Sequence, residues 1–235
     1  MKFLYRLNKD RWHKQDAMKI SAYAFVPYQT HFDELCGFAD DIVFGGKGFG
    51  MHPHENMEIS TIVLEGVQSH QDDTGSKGLI DATTIQTMSA GTGIRHSEYN
   101  ASATEAFHSY QIWVYPKKLN VTPRHEKFTF QPSDKKNKIL LALSPDRRNG
   151  SALINQDAFF SVAALDQNHS IDYELNLPEN GVYIHCASGS VKINDFTLLP
   201  GDALGVYETE GIRMEALENT ELIFVEVPMH RGVKI

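Results

Sequence analysis

The sequence has few cysteines and no long apolar segment. Only two of its 235 residues are cysteines, Cys36 and Cys186, and thiols this far apart in sequence give neither a disulfide framework nor a cysteine-based zinc pattern. No run approaches the roughly eighteen apolar residues of a membrane span. Lys2 and Arg6 interrupt the start of the chain, which lacks the apolar core of a signal peptide. These absences predict a cytoplasmic protein with reduced thiols and no membrane association.

Positive charge is also scarce. The chain has 22 Lys and Arg against 30 Asp and Glu, which gives a formal net charge of −8 at pH 7. An acidic protein repels a phosphate backbone, so direct binding of nucleic acid is not expected. The short basic run at residues 135–138 is interpreted as a solvated turn.

No window shows the period of a long amphipathic helix. The chain instead contains short β-type segments, each followed by a turn signal such as Gly, Pro or Asn-Asp. The clearest of these segments are residues 59–64, 110–115, 182–185, 191–193 and 222–227. This pattern predicts an all-β protein, and the spacing of the strands suits a jelly roll.

A polar, turn-rich stretch at residues 130–138 divides the sequence and is the predicted linker. An apolar strand that ends in a glycine turn occurs on both sides of it, at residues 63–66 and 184–189. This weak internal similarity favours a duplicated β-domain. We therefore predict two domains, residues 1–132 and 138–235.

The residues that carry the strongest chemical signal are histidines. In His52-Pro53-His54 the two imidazoles point to the same face of an extended segment, about 6.6 Å apart along the chain. One such pair among eleven histidines is a weak signal. His96, however, follows two glycines on a separate segment, and three imidazoles with one carboxylate can bind a divalent metal while leaving positions open for substrate. Glu58 and Glu98 are both candidates for the carboxylate.

Two motifs surround these histidines. The spacing from Gly46 through His52 and His54 to Glu58 is that of the first cupin motif, and His96 with Asn100 preserves the end of the second. The segments GFGMHPH at residues 48–54 and MSAGTGIRHSEYN at residues 88–100 resemble the signature stretches of pirins. Residues 110–113 and 121–124 continue the resemblance, which covers residues 38–130. It implies a bicupin, that is, two jelly-roll β-barrel domains.

The resemblance also implies a ligand set. The pirin ligands correspond to His52, His54, His96 and Glu98, which would hold one divalent ion. Fe(II) is the preferred ion, and Ni, Cu, Zn and Mn are possible. The residues expected beside the ligands or along the pocket are Glu58, Gln111 and His108. In the second half, His185 stands alone on an apolar strand, so the C-terminal domain is predicted to hold no metal.

Pirin-like bicupins resemble metal-dependent dioxygenases that open flavonols such as quercetin with O2 and release carbon monoxide. A small aromatic substrate and O2 are the implied partners, and Glu98 is the expected general base for the flavonol proton. The alternative is a non-enzymatic, iron-binding, redox-responsive regulator that acts through a protein partner. A third possibility is a cupin that binds a small molecule without turnover.

Overall fold

The computed structural model describes residues 1–234. In this part of the chain the only helices are short 3-10 turns at Asn8–Asp10, Pro132–Asp134 and Arg148–Gly150, and all other regular structure is strand. The all-β prediction is confirmed, and each of the five predicted segments falls largely within a strand. None of the helices in the described residues has the length and apolar character to span a bilayer.

The first half of the chain contributes thirteen strands. They are β1 (Lys2–Arg6), β2 (Trp12–Gln15), β3 (Lys19–Phe25), β4 (His31–Phe32), β5 (Leu35–Val43), β6 (Gly48–His54), β7 (Glu58–Glu65), β8 (Gln68–Asp72), β9 (Lys77–Ile80), β10 (Thr84–Ser89), β11 (Ile94–Asn100), β12 (Phe107–Val114) and β13 (Arg124–Thr129).

The second half contributes eleven more. They are β14 (Leu140–Ser144), β15 (Ala152–Leu153), β16 (Phe159–Leu165), β17 (Ser170–Glu174), β18 (Asn180–Ser188), β19 (Val191–Ile193), β20 (Phe196–Leu198), β21 (Ala203–Tyr207), β22 (Gly211–Ala216), β23 (Thr220–Pro228) and β24 (Val233–Lys234).

Each half consists of a large sheet and a small sheet. In the first half, the large sheet has the order β13-β10-β7-β12-β5-β3-β2, and the small sheet has the order β6-β11-β8-β9. The large sheet of the second half has the order β21-β18-β23-β16-β14-β15, with β1 from the start of the chain added next to β21, and the small sheet has the order β17-β22-β19-β20. The chain therefore folds as two β-sheet domains.

The apolar core is distributed unequally. The largest cluster includes Phe38 and Tyr110 of the first half and Tyr183 and Val225 of the second, so it joins the two large sheets. A second cluster of sixteen buried residues lies entirely within the C-terminal domain. The third, which lies in the N-terminal domain, has only six. The interior of the N-terminal domain therefore has room for polar side chains.

The two ends of the chain cross between the domains. Strand β1 pairs with β21 of the C-terminal sheet, with Leu4 opposite Gly205. Strand β24 pairs with β4 of the N-terminal sheet. We propose the division into residues 1–132 and 138–235 as the domain boundary, with β1 and β24 as the segments that cross it.

Candidate metal centre

Three histidines converge in the interior of the N-terminal domain. His52 and His54 lie on β6, and His96 lies directly opposite His52 on the neighbouring strand β11. The ring centroids are 4.4 to 4.9 Å apart, and the ring planes are inclined by 52° to 82° to one another. One ring nitrogen from each lies within 4.8 Å of the other two. Inclined rings with clustered nitrogens are the arrangement that a single ion requires.

The tautomer of His52 is set by its own strand. Its Nδ1 lies 2.8 Å from the carbonyl oxygen of Gly50. Because a carbonyl can only accept, Nδ1 carries the proton and Nε2 keeps a free lone pair. A hydrogen bond of this kind commonly orients histidines that bind metals.

His96 tests whether a metal fits this site. The residue is fully buried, and neither ring nitrogen has a hydrogen-bond partner within residues 1–234. A buried polar atom without a partner is costly, whereas coordination of an ion would satisfy one nitrogen. Burial, reinforced by His52, lowers the pKa of His96 to about 2, and burial lowers that of His54 to about 4. Both rings are therefore neutral near pH 7, as metal ligation requires.

Glu98 adds a buried carboxylate next to His96. A bulge in the pairing of β11 with β6 lies between these two residues and changes the register of Glu98. One carboxylate oxygen accepts a hydrogen bond from Gln68 Nε2 at 2.7 Å, and the other accepts one from Gln111 Nε2 at 2.9 Å. Burial raises the pKa of Glu98. One of its oxygens lies within 4.8 Å of a ring nitrogen of His96 and of a ring nitrogen of His70.

Gln111 is itself held in one orientation. Trp113, two residues along β12, donates its indole N–H to Gln111 Oε1 at 3.1 Å. The amide nitrogen of Gln111 therefore faces Glu98. Trp113 also packs edge-on against His54, with ring centroids 5.0 Å apart.

A cavity of about 260 Å³ opens beside these residues. Glu98, His52 and Gln111 line one part of it. The rest is largely apolar and aromatic, with Tyr23, Phe25, Phe49 and Trp113 in its wall. The cavity can therefore hold a flat aromatic molecule against His52 and Glu98.

A second polar cluster lies nearby but differs in its bonding. His70 and His125 stack with centroids 4.4 Å apart and an angle of only 15° between the rings. His70 bonds to Asp72 and Gln86, and His125 bonds to Ser76 and Gln86. Parallel rings do not aim their nitrogens at a common point, and all four nitrogens already have partners. We interpret this cluster as a hydrogen-bond network that supports His96.

Sequence reasoning did not find Gln68 or His70. Both lie on β8, which presents Gln68, His70 and Asp72 as alternating buried residues. Polar residues at every second position of a strand would normally face solvent. Their only signal in the sequence is the pair His70 and Asp72 at positions i and i+2.

Glu58 and His108 lie away from the cavity. Glu58 accepts hydrogen bonds from Ser89 Oγ at 2.7 Å and from the backbone N–H of Asn155 at 3.0 Å, and burial raises its pKa. His108 bonds to Asp40 at 2.5 Å. The cavity lining includes Gln111 but neither Glu58 nor His108.

The fold and the site together define a class, a two-barrel protein with a candidate metal centre in its N-terminal barrel. The chain belongs to the pirin family. The family model described as Pirin matches residues 5–114, and the model described as a quercetinase C-terminal cupin domain matches residues 141–227.

Individual relatives agree along most of their length. A quercetin 2,3-dioxygenase of Escherichia coli strain K12 is 38% identical over 219 residues, which are 93% of this chain and 91% of that protein. The crystal structure of YhhW from Escherichia coli matches with a TM-score of 0.91, 35% identity and full coverage of both chains. The structure of bacterial pirin YhhW in complex with nickel(II) matches with a TM-score of 0.89 at 36% identity, covering 97% of this chain and 99% of that one. The predicted bicupin fold is confirmed.

Proposed function

We propose that this protein is a metal-dependent dioxygenase that opens flavonols such as quercetin with O2. The observation that carries the proposal is the cluster of His52, His54 and His96, which lies beside the hydrogen-bonded Glu98 at the wall of an aromatic cavity. The relatives named quercetin 2,3-dioxygenase support it.

The residues that would hold the metal are His52, His54, His96 and Glu98. Their donors suit one divalent ion of the borderline type. Fe(II) is our preferred ion, nickel is supported by the nickel(II) complex of YhhW, and Cu, Zn and Mn suit the same donors. When bound, such an ion acts as a Lewis acid that favours the deprotonated form of a flavonol 3-hydroxyl group.

Glu98 is the proposed acceptor of that proton. Gln68 and Gln111 each donate a hydrogen bond to its carboxylate and so hold it in one orientation. Burial raises the pKa of Glu98, which makes it a better base than an exposed glutamate. The aromatic wall would position the flat substrate and exclude water while O2 reacts.

The setting of the activity is also part of the proposal. We place the protein in the cytoplasm, which is consistent with its two free, buried cysteines. The partners are a flavonol-like compound and O2, and the net charge of −8 disfavours nucleic acid. Charge does not exclude a protein partner.

Two carboxylate variants test the enzyme proposal. We expect Glu98→Gln to lower kcat for quercetin by about a hundredfold or more, because it removes the proton acceptor. Glu58→Gln is the matched control, since Glu58 is equally buried but bonds to Ser89 and Asn155. The assay is the loss of flavonol absorbance in air together with release of carbon monoxide.

Two results would count against the proposal. Full activity of a folded Glu98→Gln variant would remove Glu98 from the mechanism. A metal-loaded wild-type protein that leaves every flavonol intact would instead favour the alternative, an iron-binding, redox-responsive regulator with a protein partner.

A further inference from the structure

The cavity wall contains one buried ion pair that the proposed chemistry does not use. Lys19 Nζ lies 2.8 Å from Asp41 Oδ1, and the two side chains are only 11% and 8% exposed. Both residues line the same cavity as His52 and Glu98. Removing two charges from water is expensive, so a buried ion pair in this wall needs an explanation.

Neighbouring residues hold this pair in place. The Lys19 ammonium lies 4.8 Å from the ring centre of Phe49 and 5.5 Å from that of Tyr23. Ser21 donates a hydrogen bond to Asp41 Oδ1 at 2.5 Å. Burial alone would lower the pKa of Lys19, but the charge and hydrogen bond of Asp41 outweigh burial and raise it. The ammonium is therefore charged and restricted in its motion.

The pair retains unused hydrogen-bonding capacity. An ammonium has three N–H donors, and one of them is directed at Asp41. Within residues 1–234, both side-chain hydrogen bonds accepted by Asp41 go to Oδ1. Its other oxygen, Oδ2, is not among the fully buried atoms that lack a partner, so it remains accessible to a ligand. A donor and an acceptor thus lie side by side, which is the combination that recognises a hydroxyl group.

The strands place this pair at some distance from the histidines. On β5, Ala39 lies opposite Gln111, the residue that bonds to Glu98. Asp41 is two residues further along, about 7 Å from Ala39. Gly37 and Ala39 also line the cavity, and their small size leaves space above this strand. A Cβ on Gly37 would lie 2.8 Å from Trp113 Cβ. This spacing along the strand, roughly 7 Å, is comparable with the span of a six-membered aromatic ring and its substituents.

We propose that Lys19 and Asp41 determine substrate specificity by binding a hydroxyl group on an aromatic ring of the substrate remote from the reacting atoms. This inference rests on the proposed flavonol substrate and narrows it to polyhydroxylated members of that class. Lys19 donates a hydrogen bond to the hydroxyl oxygen, and Asp41 accepts a hydrogen bond from the hydroxyl O–H. A flavonol without ring hydroxyl groups would displace water from the pair without offering a partner to its remaining donor and acceptor atoms, which a buried site penalises.

Anaerobic titration of the metal-loaded protein tests this inference, because without O2 the substrate is bound but not consumed. The ligands are quercetin and 3-hydroxyflavone, which lacks the additional hydroxyl groups. The test variant is the double substitution Lys19→Met with Asp41→Asn, which removes both charges together. Asp41→Asn alone is a second variant, which keeps the shape of the side chain and removes its charge. Lys14→Met is the matched control, because Lys14 lies on the adjacent strand β2, outside the cavity, with a side chain 52% exposed.

We expect the double variant to weaken quercetin binding by about tenfold, the loss typical of a hydrogen bond to a charged group. Binding of 3-hydroxyflavone should stay within about threefold, and Lys14→Met should change neither. In air, KM for quercetin should rise while kcat changes little, because the lost contact is remote from the reacting atoms.

Equal affinity of the wild type for both flavonols would overturn the inference. So would an unchanged preference for quercetin in a folded double variant or in Asp41→Asn. If the wild type binds quercetin selectively but never consumes it, the specificity assignment stands and the proposed oxygenation fails. If it binds neither flavonol, both fail.

Discussion

His96 and its neighbour His70 differ in their hydrogen bonding, and this difference separates the candidate metal ligand from the bonded histidine. Both rings are buried, and their centroids are 5.3 Å apart. Both nitrogens of His70 are hydrogen-bonded, whereas both nitrogens of His96 lack partners among the described residues. Spacing and the two motifs in the sequence were enough to select His52, His54 and His96 as candidate ligands. It could not assess His70, because its partners come from other strands.

Two substitutions, one at His96 and one at His125 of the hydrogen-bonded cluster, test this distinction. We expect His96→Ala to lower the bound metal from about one ion per chain to about a tenth of that, because it removes a shared ligand. His125→Phe should keep its metal, since it preserves the ring stacked on His70. Elemental analysis of protein purified without chelators measures both values. Retention of metal in His96→Ala, or its loss in His125→Phe alone, would contradict the assignment.

At the scale of single elements, turns and strand faces decide which polar residues reach the site. Glu58 and His54 share an even spacing in sequence, but β6 ends at His54 and β7 begins at Glu58. Asn56 between them has a φ of 47°, so the alternation of faces is not carried across the turn. His108 and Gln111 are three residues apart on one strand and therefore face opposite sides. The bulge that redirects Glu98 has no comparable signal in the sequence.

The turn that precedes β11 should be sensitive to a single methyl group. Gly91 has a φ of +49°, and a Cβ there would overlap the carbonyl oxygen of Val121. We expect Gly91→Ala to destabilise the protein by about 2 kcal/mol or more and to weaken metal binding, because β11 carries His96. Thermal unfolding and metal titration measure these effects.

Gly50→Ala, on strand β6, is the control for the Gly91→Ala substitution. Gly50 has no left-handed φ, and a Cβ there would meet Tyr99 Oη at an ordinary 3.6 Å. Its stability should stay within about 0.5 kcal/mol of the wild type. Equal losses in the two variants would show that the Gly91 turn has no special requirement.

At the scale of the whole molecule, the composition and strand pattern predicted the all-β class and the duplicated domain. They could not predict that β1 would pair with β21 and β24 with β4, because such pairs join residues about 200 positions apart. The sequence pattern also could not predict that the two large sheets pack against each other. It buries His185 completely between Phe38 and Tyr110, with ring centroids 4.9 and 4.8 Å away.

His185 should make folding sensitive to acid. Burial, with a smaller contribution from Arg11, lowers the pKa of His185 to about 3 from an ordinary value of 6.5. Between these values the unfolded chain binds a proton that the folded chain excludes, so stability decreases as pH falls below 6.5. Asp40 raises this pKa and His108 lowers it, but neither reverses the shift.

Replacement of this ring isolates its contribution. We expect His185→Leu to lose about 2 kcal/mol less stability than the wild type between about pH 7.5 and about pH 5. Denaturant unfolding at both pH values gives the difference directly, and any packing change caused by leucine is common to both. An identical acid-induced loss in the two proteins would show that His185 is not the group responsible.

Anomalous X-ray diffraction at the metal absorption edge, from crystals of the metal-loaded protein, tests the central claim most directly. It separates the three side-chain groups whose ligand atoms lie close together. The proposed site predicts one peak within bonding distance of His52, His54, His96 and Glu98. A peak among His70, Asp72 and His125, or none at full metal loading, would contradict it.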